Sequence, residues 1–293
     1  VTGPDTAGNA AVASGTTTFA IDTTAPSVAL TYAIASSVPA NATAAGNLTF
    51  SSSLSRPVTV GDIVVVKAVT TEATTLASAL SLSLSGSRTI TALETYTTST
   101  SVGTTYFTHT VASGNDATVT VSVTGPDTAG NAAVASGTTT FTVDTTAPTV
   151  ALTYSLDAST YNASVARPVK SGDTVTIKAT MTEAVALSAA PTITLTATGG
   201  VTTATAASMT QVGSSLVYTY AYTVQASENG TVSASVSATD TATNALTSTA
   251  ATAFIVDNTA PTVVLAYSDG GSSDATGPYK SGDSVTVTAT FTE

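Results

Sequence analysis

The 293-residue sequence contains no cysteine and no tryptophan, a single histidine, and only 9% charged residues. Zero cysteine excludes disulfides, thiolate metal sites and a cysteine nucleophile. Basic residues are scarce: 7 Lys and Arg stand against 18 Asp and Glu, for a net charge of -11. Nucleic acid and anionic membranes are bound through basic patches, so neither is an expected partner; cations are compatible with such a surface. Uninterrupted apolar runs long enough for a spanning helix are absent, and no membrane insertion is expected. Phosphate-binding glycine loops are missing as well. The first residue is Val1, with no basic-then-apolar leader behind it, and the expectation is a segment of something longer.

What the chain has in abundance is Thr, Ser, Ala and Val, with hydrophobic residues at 42%. That is too apolar, for so few charges, to read as a disordered chain. It is also internally repetitive. Residues 1–19 are identical to residues 123–141, an offset of 122. "PVTVGDIVVVKAVTTE" (57–72) returns as "PVKSGDTVTIKATMTE" (168–183) and "PYKSGDSVTVTATFTE" (278–293), at offsets of 111 and 110. "FAIDTTAPSVALTY" (19–32), "FTVDTTAPTVALTY" (141–154) and "FIVDNTAPTVVLAY" (254–267) form a third family of copies. The repeat divides the chain into the tail of one unit (1–25), two complete units (26–147 and 148–260) and the head of another (261–293).

Within a unit the apolar period is two. "TVTIKATMTE" sets Val175, Ile177, Ala179 and Met181 on one face; "ATVTVSVTG" does so with Val119, Val121 and Val123; "TTTFTVD" presents Phe141 and Val143. Threonine, valine and tyrosine suit a half-buried pleated surface, and Gly, Asn, Asp and Ser clusters separate the runs. No segment carries a helical stripe. A repeat of this length with about seven short strands has the size and pattern of an antiparallel β-sandwich.

The combination "GD-x-V-x-V-x-A-x-x-x-E", then "D-T-A-x-N", then "F-x-V-D-x-T-A-P-x-V" resembles the bacterial immunoglobulin-like (Big-type) tandem repeats of large cell-surface proteins and adhesins. The resemblance covers nearly the whole chain. It implies an all-β fold of tandem immunoglobulin-like antiparallel β-sandwich domains in an elongated array. It further implies a non-catalytic extracellular role, as a stalk, fibre or surface-layer segment. Two other readings stay open: an adhesive module for carbohydrate or a partner cell, and a subunit of a self-assembling filament or sheet. The partners expected are neighbouring repeats of the same chain, and further copies of it or cell-surface glycans.

Twelve of the acids occupy four recurring positions: Asp5, Asp127 and Asp240; Asp22, Asp144 and Asp257; Asp62, Asp173 and Asp283; Glu72, Glu183 and Glu293. In a sandwich layout the strand ending at Glu183 climbs, the strand before Asp240 climbs beside it, and the linker brings Asp144 to the same end. Asn244 joins this group, and Asp62 lies near it. Carboxylate and amide oxygens without sulfur or imidazole are the donor set of a hard cation, and Ca2+ is the one expected. The resemblance extends to cadherin-like acidic linkers, which implies Asp144, Glu183 and Asp240 at one junction and Asp22, Glu72, Asp127 and Asn131 at the one before. Asp257 and Glu293 are the corresponding residues of the next. Turn chemistry is the competing account, since Asp and Asn satisfy local backbone N–H groups. It is the stronger account for the Gly-Asp positions. Replacement of Gly130 by Thr243 suggests a "D-T-A-x-N" loop with little backbone constraint.

Other residues carry less. His109 aligns with Tyr222 and is read as a strand residue rather than a catalytic one, since no Ser–His–acid arrangement recurs. Tyr218, Tyr220 and Tyr222 alternate on one strand and read mainly as core. Lys67, Lys178, Arg56 and Arg167 read as solvated charge. Sequons occur at Asn41, Asn47, Asn162 and Asn229.

Overall fold

The computed structural model describes residues 3–12, 15, 18–86, 88–89, 91–96, 102–248, 251–269 and 278–293. The chain forms two compact units, Val1–Thr146 with Thr241–Asn244, and Ala147–Asp240 with Ala245–Glu293. Each is built of mainly antiparallel β-sheets packed face to face, a β-sandwich.

In the first unit the strands are β1 (Ser27–Ala35), β2 (Ile63–Thr71), β3 (Ser81–Leu84), β4 (Thr91–Tyr96), β5 (Val102–Thr110), β6 (Ala117–Thr124), β7 (Val134–Ser136) and β8 (Thr140–Val143). One sheet runs β4-β5-β2-β1-β7 and the other β3-β6-β8. All pairs are antiparallel except β1 with β7. The core lies between the sheets. Val28, Leu30, Tyr32, Val64, Val66 and Phe107 project from the first sheet onto Leu82, Leu84, Val119, Val121, Phe141 and Val143 of the second.

Between β1 and β2 sits a five-residue helix, α1 (Ala42–Gly46), whose N-cap Asn41 accepts a hydrogen bond from the Ala44 N–H (2.9 Å). It is too short to show a helical stripe in the sequence. Ala42 and Ala45, with Leu48 and Phe50, pack on the outer face of the sheet against Ala35, Ile63, Val65 and Tyr106. Strand β2 is therefore buried on both faces, and "IVVV" is the run that double burial selects. The insertion also accounts for the uneven repeat spacing. The offset is 122 at Val28 and 111 at Pro57, so the first unit is 11 residues longer between them.

The second unit contains β9 (Thr149–Ser155), β10 (Thr174–Thr182), β11 (Thr192–Ala197), β12 (Ala204–Ser208), β13 (Thr210–Gln211), β14 (Val217–Thr223), β15 (Gly230–Thr239), β16 (Ala245–Thr247), β17 (Ala251–Val256), β18 (Thr262–Ser268) and β19 (Thr286–Thr292). Its sheets are β13-β14-β10-β9 and β12-β11-β15-β16, with β17 also on β15. Without the helix, β10 keeps strict alternation. Val175, Ile177, Ala179 and Met181 are buried, as their period predicts. Lys178 lies on the outer face over the Tyr161 ring (4.0 Å), and Lys67 over Phe50 (5.7 Å), so both lysines pack on aromatics of the preceding connection.

The register confirms the alignment of the two units. His109 and Phe107 face Val64 and Val66, as Tyr222 and Tyr220 face Val175 and Ile177. Tyr218, Tyr222 and His109 are all buried. Strands β18 and β19 pair with each other (Thr262↔Thr292) and with no other strand among the described residues. Val263, Leu265 and Phe291 on them are exposed.

Candidate metal centre

The acids of the first unit reach one place by three routes. Glu72 follows the last residue of β2. Asp127 stands three residues past β6, in a loop anchored by the Ala77 N–H on the Pro126 carbonyl (2.8 Å) and the Thr128 N–H on the Thr75 carbonyl (3.1 Å). Asp22 lies five residues before β1, ahead of the Thr-Ala-Pro segment. Carboxylate oxygens from Asp22, Glu72 and Asp127 lie within 4.8 Å of one another. Asp127 is 1% exposed and Glu72 6%.

Local hydrogen bonds account for most of these oxygens. Asp127 Oδ1 accepts from the N–H groups of Ala129 (2.9 Å) and Asn131 (2.8 Å), and Oδ2 from Asn131 Nδ2 (2.8 Å). The same Nδ2 donates to the Asp22 carbonyl (3.1 Å), tying loop to linker. Asn131 thus presents its donor atom to the acids and orients Asp127. Chiefly because of this Asn131 bond, the Asp127 carboxyl is held below its ordinary value of 3.8. A depressed carboxylate stabilises the fold above its unfolded pKa and loses that contribution as pH falls through the lowered value. Asp22 Oδ1 accepts from the Thr24 N–H (3.0 Å) and Oδ2 from the Thr74 hydroxyl (2.9 Å). Glu72 Oε1 accepts from the Ala73 N–H (2.5 Å). Glu72 Oε2 differs: it is buried and has no hydrogen-bond partner among the described residues. A buried oxygen left so costs about 1–3 kcal/mol, more when charged.

The repeat reproduces these parts. Glu183 Oε1 accepts from the Ala184 N–H (2.6 Å), its Oε2 is likewise buried without a hydrogen-bond partner among the described residues, and an oxygen of Asp240 lies within 4.8 Å of one from Glu183. Asn244 Nδ2 donates to the Asp144 carbonyl (3.0 Å), as Asn131 does to that of Asp22. Asp144 Oδ1 accepts from the Thr146 N–H (3.1 Å).

The expectation of a loosely constrained loop is wrong. Gly8 and Gly130 have φ of 86° and 94°, and Thr243, at the matching position, is held at 80°. A β-branched residue is strained there, by about 1–3 kcal/mol. The loop keeps its shape when its glycine is lost. Thr243→Gly is expected to raise stability by about 1 kcal/mol, read from urea midpoints at unchanged m-value.

Asp62 goes elsewhere. Its carboxylate takes two hydrogen bonds from Arg56 (2.7 and 2.9 Å) and one from the Thr59 N–H (2.8 Å). Arg167 and Asp173 repeat the pair at 2.8 Å. These arginines are partners of the Gly-Asp turn, not freely solvated charge, and Asp62 is not among the gathered acids. Asp257 Oδ1 accepts from the Thr259 N–H (2.9 Å). Glu293 is exposed, and the two belong to no three-acid group among the described residues.

Residues 216–290 match the family model for a bacterial Ig-like domain (group 3). The second unit thus includes a stretch similar to a bacterial Ig-like domain. The match runs from β14 through the segment Asp257–Pro261 to β19. No curated protein matches the chain. Bacterial Ig-like domains are typically non-catalytic and usually belong to surface proteins. No helix among the described residues is long and apolar enough to cross a membrane.

The two units also fasten the segments after their last core strands in a way the recurring acids did not reveal. Asp116, one residue before β6, accepts from the Thr145 N–H (2.6 Å), the Thr145 hydroxyl (2.5 Å) and the Thr146 hydroxyl. These bonds, the Thr145 one foremost, lower its pKa. In the next repeat Asn229 does this work, accepting from the Asn258 N–H (2.7 Å). The position is acidic once and amide once, so a search for repeated acids passes over it.

Proposed function

We propose that this chain is a structural, non-catalytic segment of a long extracellular cell-surface protein, an array of Ig-like repeats whose joints are stiffened by Ca2+. The observation that carries it is Glu72 Oε2, buried and without a hydrogen-bond partner beside carboxylates of Asp22 and Asp127. Turn chemistry explains bonded oxygens and does not explain that one. A hard divalent cation supplies the missing partner and offsets the repulsion among the acids. By the repeat, Glu183 and Asp240 are the corresponding acids of the second unit, and Asp144 corresponds to Asp22. Asn131 and Asn244 serve as ties from loop to linker carbonyl. Proline in each "T-A-P" and the Asp116 or Asn229 bonds limit the linker further.

The adhesive reading drew on the tyrosine strand. Tyr218 and Tyr222 are in the core, so that strand offers no exposed aromatic strip.

Melting with and without a chelator is the test. A cation bound only by the folded state stabilises by about 2.7 kcal/mol at a hundred-fold excess over Kd. The expected result is a lower Tm in EDTA, restored by excess Ca2+. An unchanged Tm overturns the calcium assignment.

A further inference from the structure

Resting on the calcium reading above, we infer that Thr74 is a positioning residue that sets the cation affinity of the first acid group. Of the three carboxylates, Asp22 sits on the linker rather than at the end of a strand, so it needs outside help to face the others. Its Oδ1 is turned by the Thr24 N–H in its own segment (3.0 Å). Its Oδ2 is held by the Thr74 hydroxyl at 2.9 Å, the one side-chain bond from the Glu72 loop to the Asp22 carboxylate among the described residues. Thr74 also sends its backbone N–H toward Glu72 Oε1 (3.4 Å), so a single residue touches two of the acids.

The hydroxyl occupies one lone pair of Asp22 Oδ2, and the oxygen keeps another for a cation. Donation lowers the basicity of that oxygen a little. Against this stands the ordering of a linker side chain before the cation arrives, and outer partners of this kind change metal affinity by about 10–100-fold. The ordering effect decides the sign.

The next repeat has Val185 where this one has Thr74. The backbone there is the same: Glu183 Oε1 accepts from the N–H groups of Ala184 (2.6 Å) and Val185 (3.5 Å). The position therefore varies in its hydroxyl while the backbone bonds to the glutamate stay.

Calcium titration of the whole 293-residue chain by calorimetry tests this, with Thr74→Val and Thr74→Ser. The expected result is that Thr74→Val weakens calcium binding at the first acid group about ten-fold, Thr74→Ser restores it, and the Tm in EDTA stays the same for all three. Unchanged or tighter binding by Thr74→Val overturns the inference alone. So does an equal loss of Tm in EDTA, because the hydroxyl is then a structural bond. No calcium binding by the original chain overturns the parent reading and this inference with it.

Discussion

Glu72→Gln removes the calcium-dependent stabilisation of the first unit while leaving its calcium-free melting unchanged or raised. The two halves of this result have separate causes. In the calcium-free protein Glu72 Oε2 is a buried carboxylate oxygen without a hydrogen-bond partner among the described residues. An amide in its place removes the charge and costs less to bury. In calcium the same change deletes one of three anionic ligands. The gain of about 2.7 kcal/mol available at a hundred-fold excess of ligand is then lost. Thermal melts of both proteins, in EDTA and in calcium, give four Tm values. The expected order has Glu72→Gln at or above the original in EDTA and below it in calcium. A variant lower by the same amount in both conditions marks Glu72 as a structural residue.

Gly230→Ala destabilises the second unit by about 3 kcal/mol or more, although the first unit has alanine, Ala117, at the same place. Gly230 has φ of 143°, and an added Cβ would stand 1.9 Å from the Thr198 carbonyl oxygen and 2.7 Å from its carbon. Backbone on the other side cannot swing away as a side-chain tip would. The two loops are also fastened together by Glu228, which is 2% exposed. Its Oε1 accepts from the Thr202 N–H (2.9 Å), and its Oε2 from the Tyr222 hydroxyl (2.8 Å) and the Gln225 N–H (2.8 Å). Burial opposes the charge of Glu228, yet these bonds outweigh it and hold its pKa below 4.5. A denaturant midpoint lowered in Gly230→Ala, with Ala117→Gly in the first unit changing little, is the expected pair of results. A Gly230→Ala midpoint at the original value contradicts the geometry.

That contrast marks where reading the sequence stopped being enough. Alternation assigned the inward faces of β10 and β6 correctly, because burial on one side of a sheet imposes a period of two. Repetition aligned His109 with Tyr222 and picked out Asp22, Glu72 and Asp127, which the structure brings together. Four other features depend on contacts that no spacing expresses. Arg56 neutralises Asp62 across a turn, so one recurring acid leaves the set. Helix α1 covers the outer face of β2 without a stripe long enough to notice. Thr243 keeps a glycine's backbone angle, which makes a substitution look like relaxed constraint when it is tolerated strain. Asp116 shares its role with an amide, so recurrence by residue type misses it.

The proposal that the converging acids hold calcium competes with a set of turns. Calcium bound per chain, measured by calorimetry at concentrations up to about 10 mM, tests it most directly, since extracellular modules of this kind of ligand set bind at about 0.1–1 mM. The predicted result is calcium binding by the original chain, with one equivalent fewer for Glu72→Gln. No heat of binding in the original chain, or the same stoichiometry in Glu72→Gln, would contradict it.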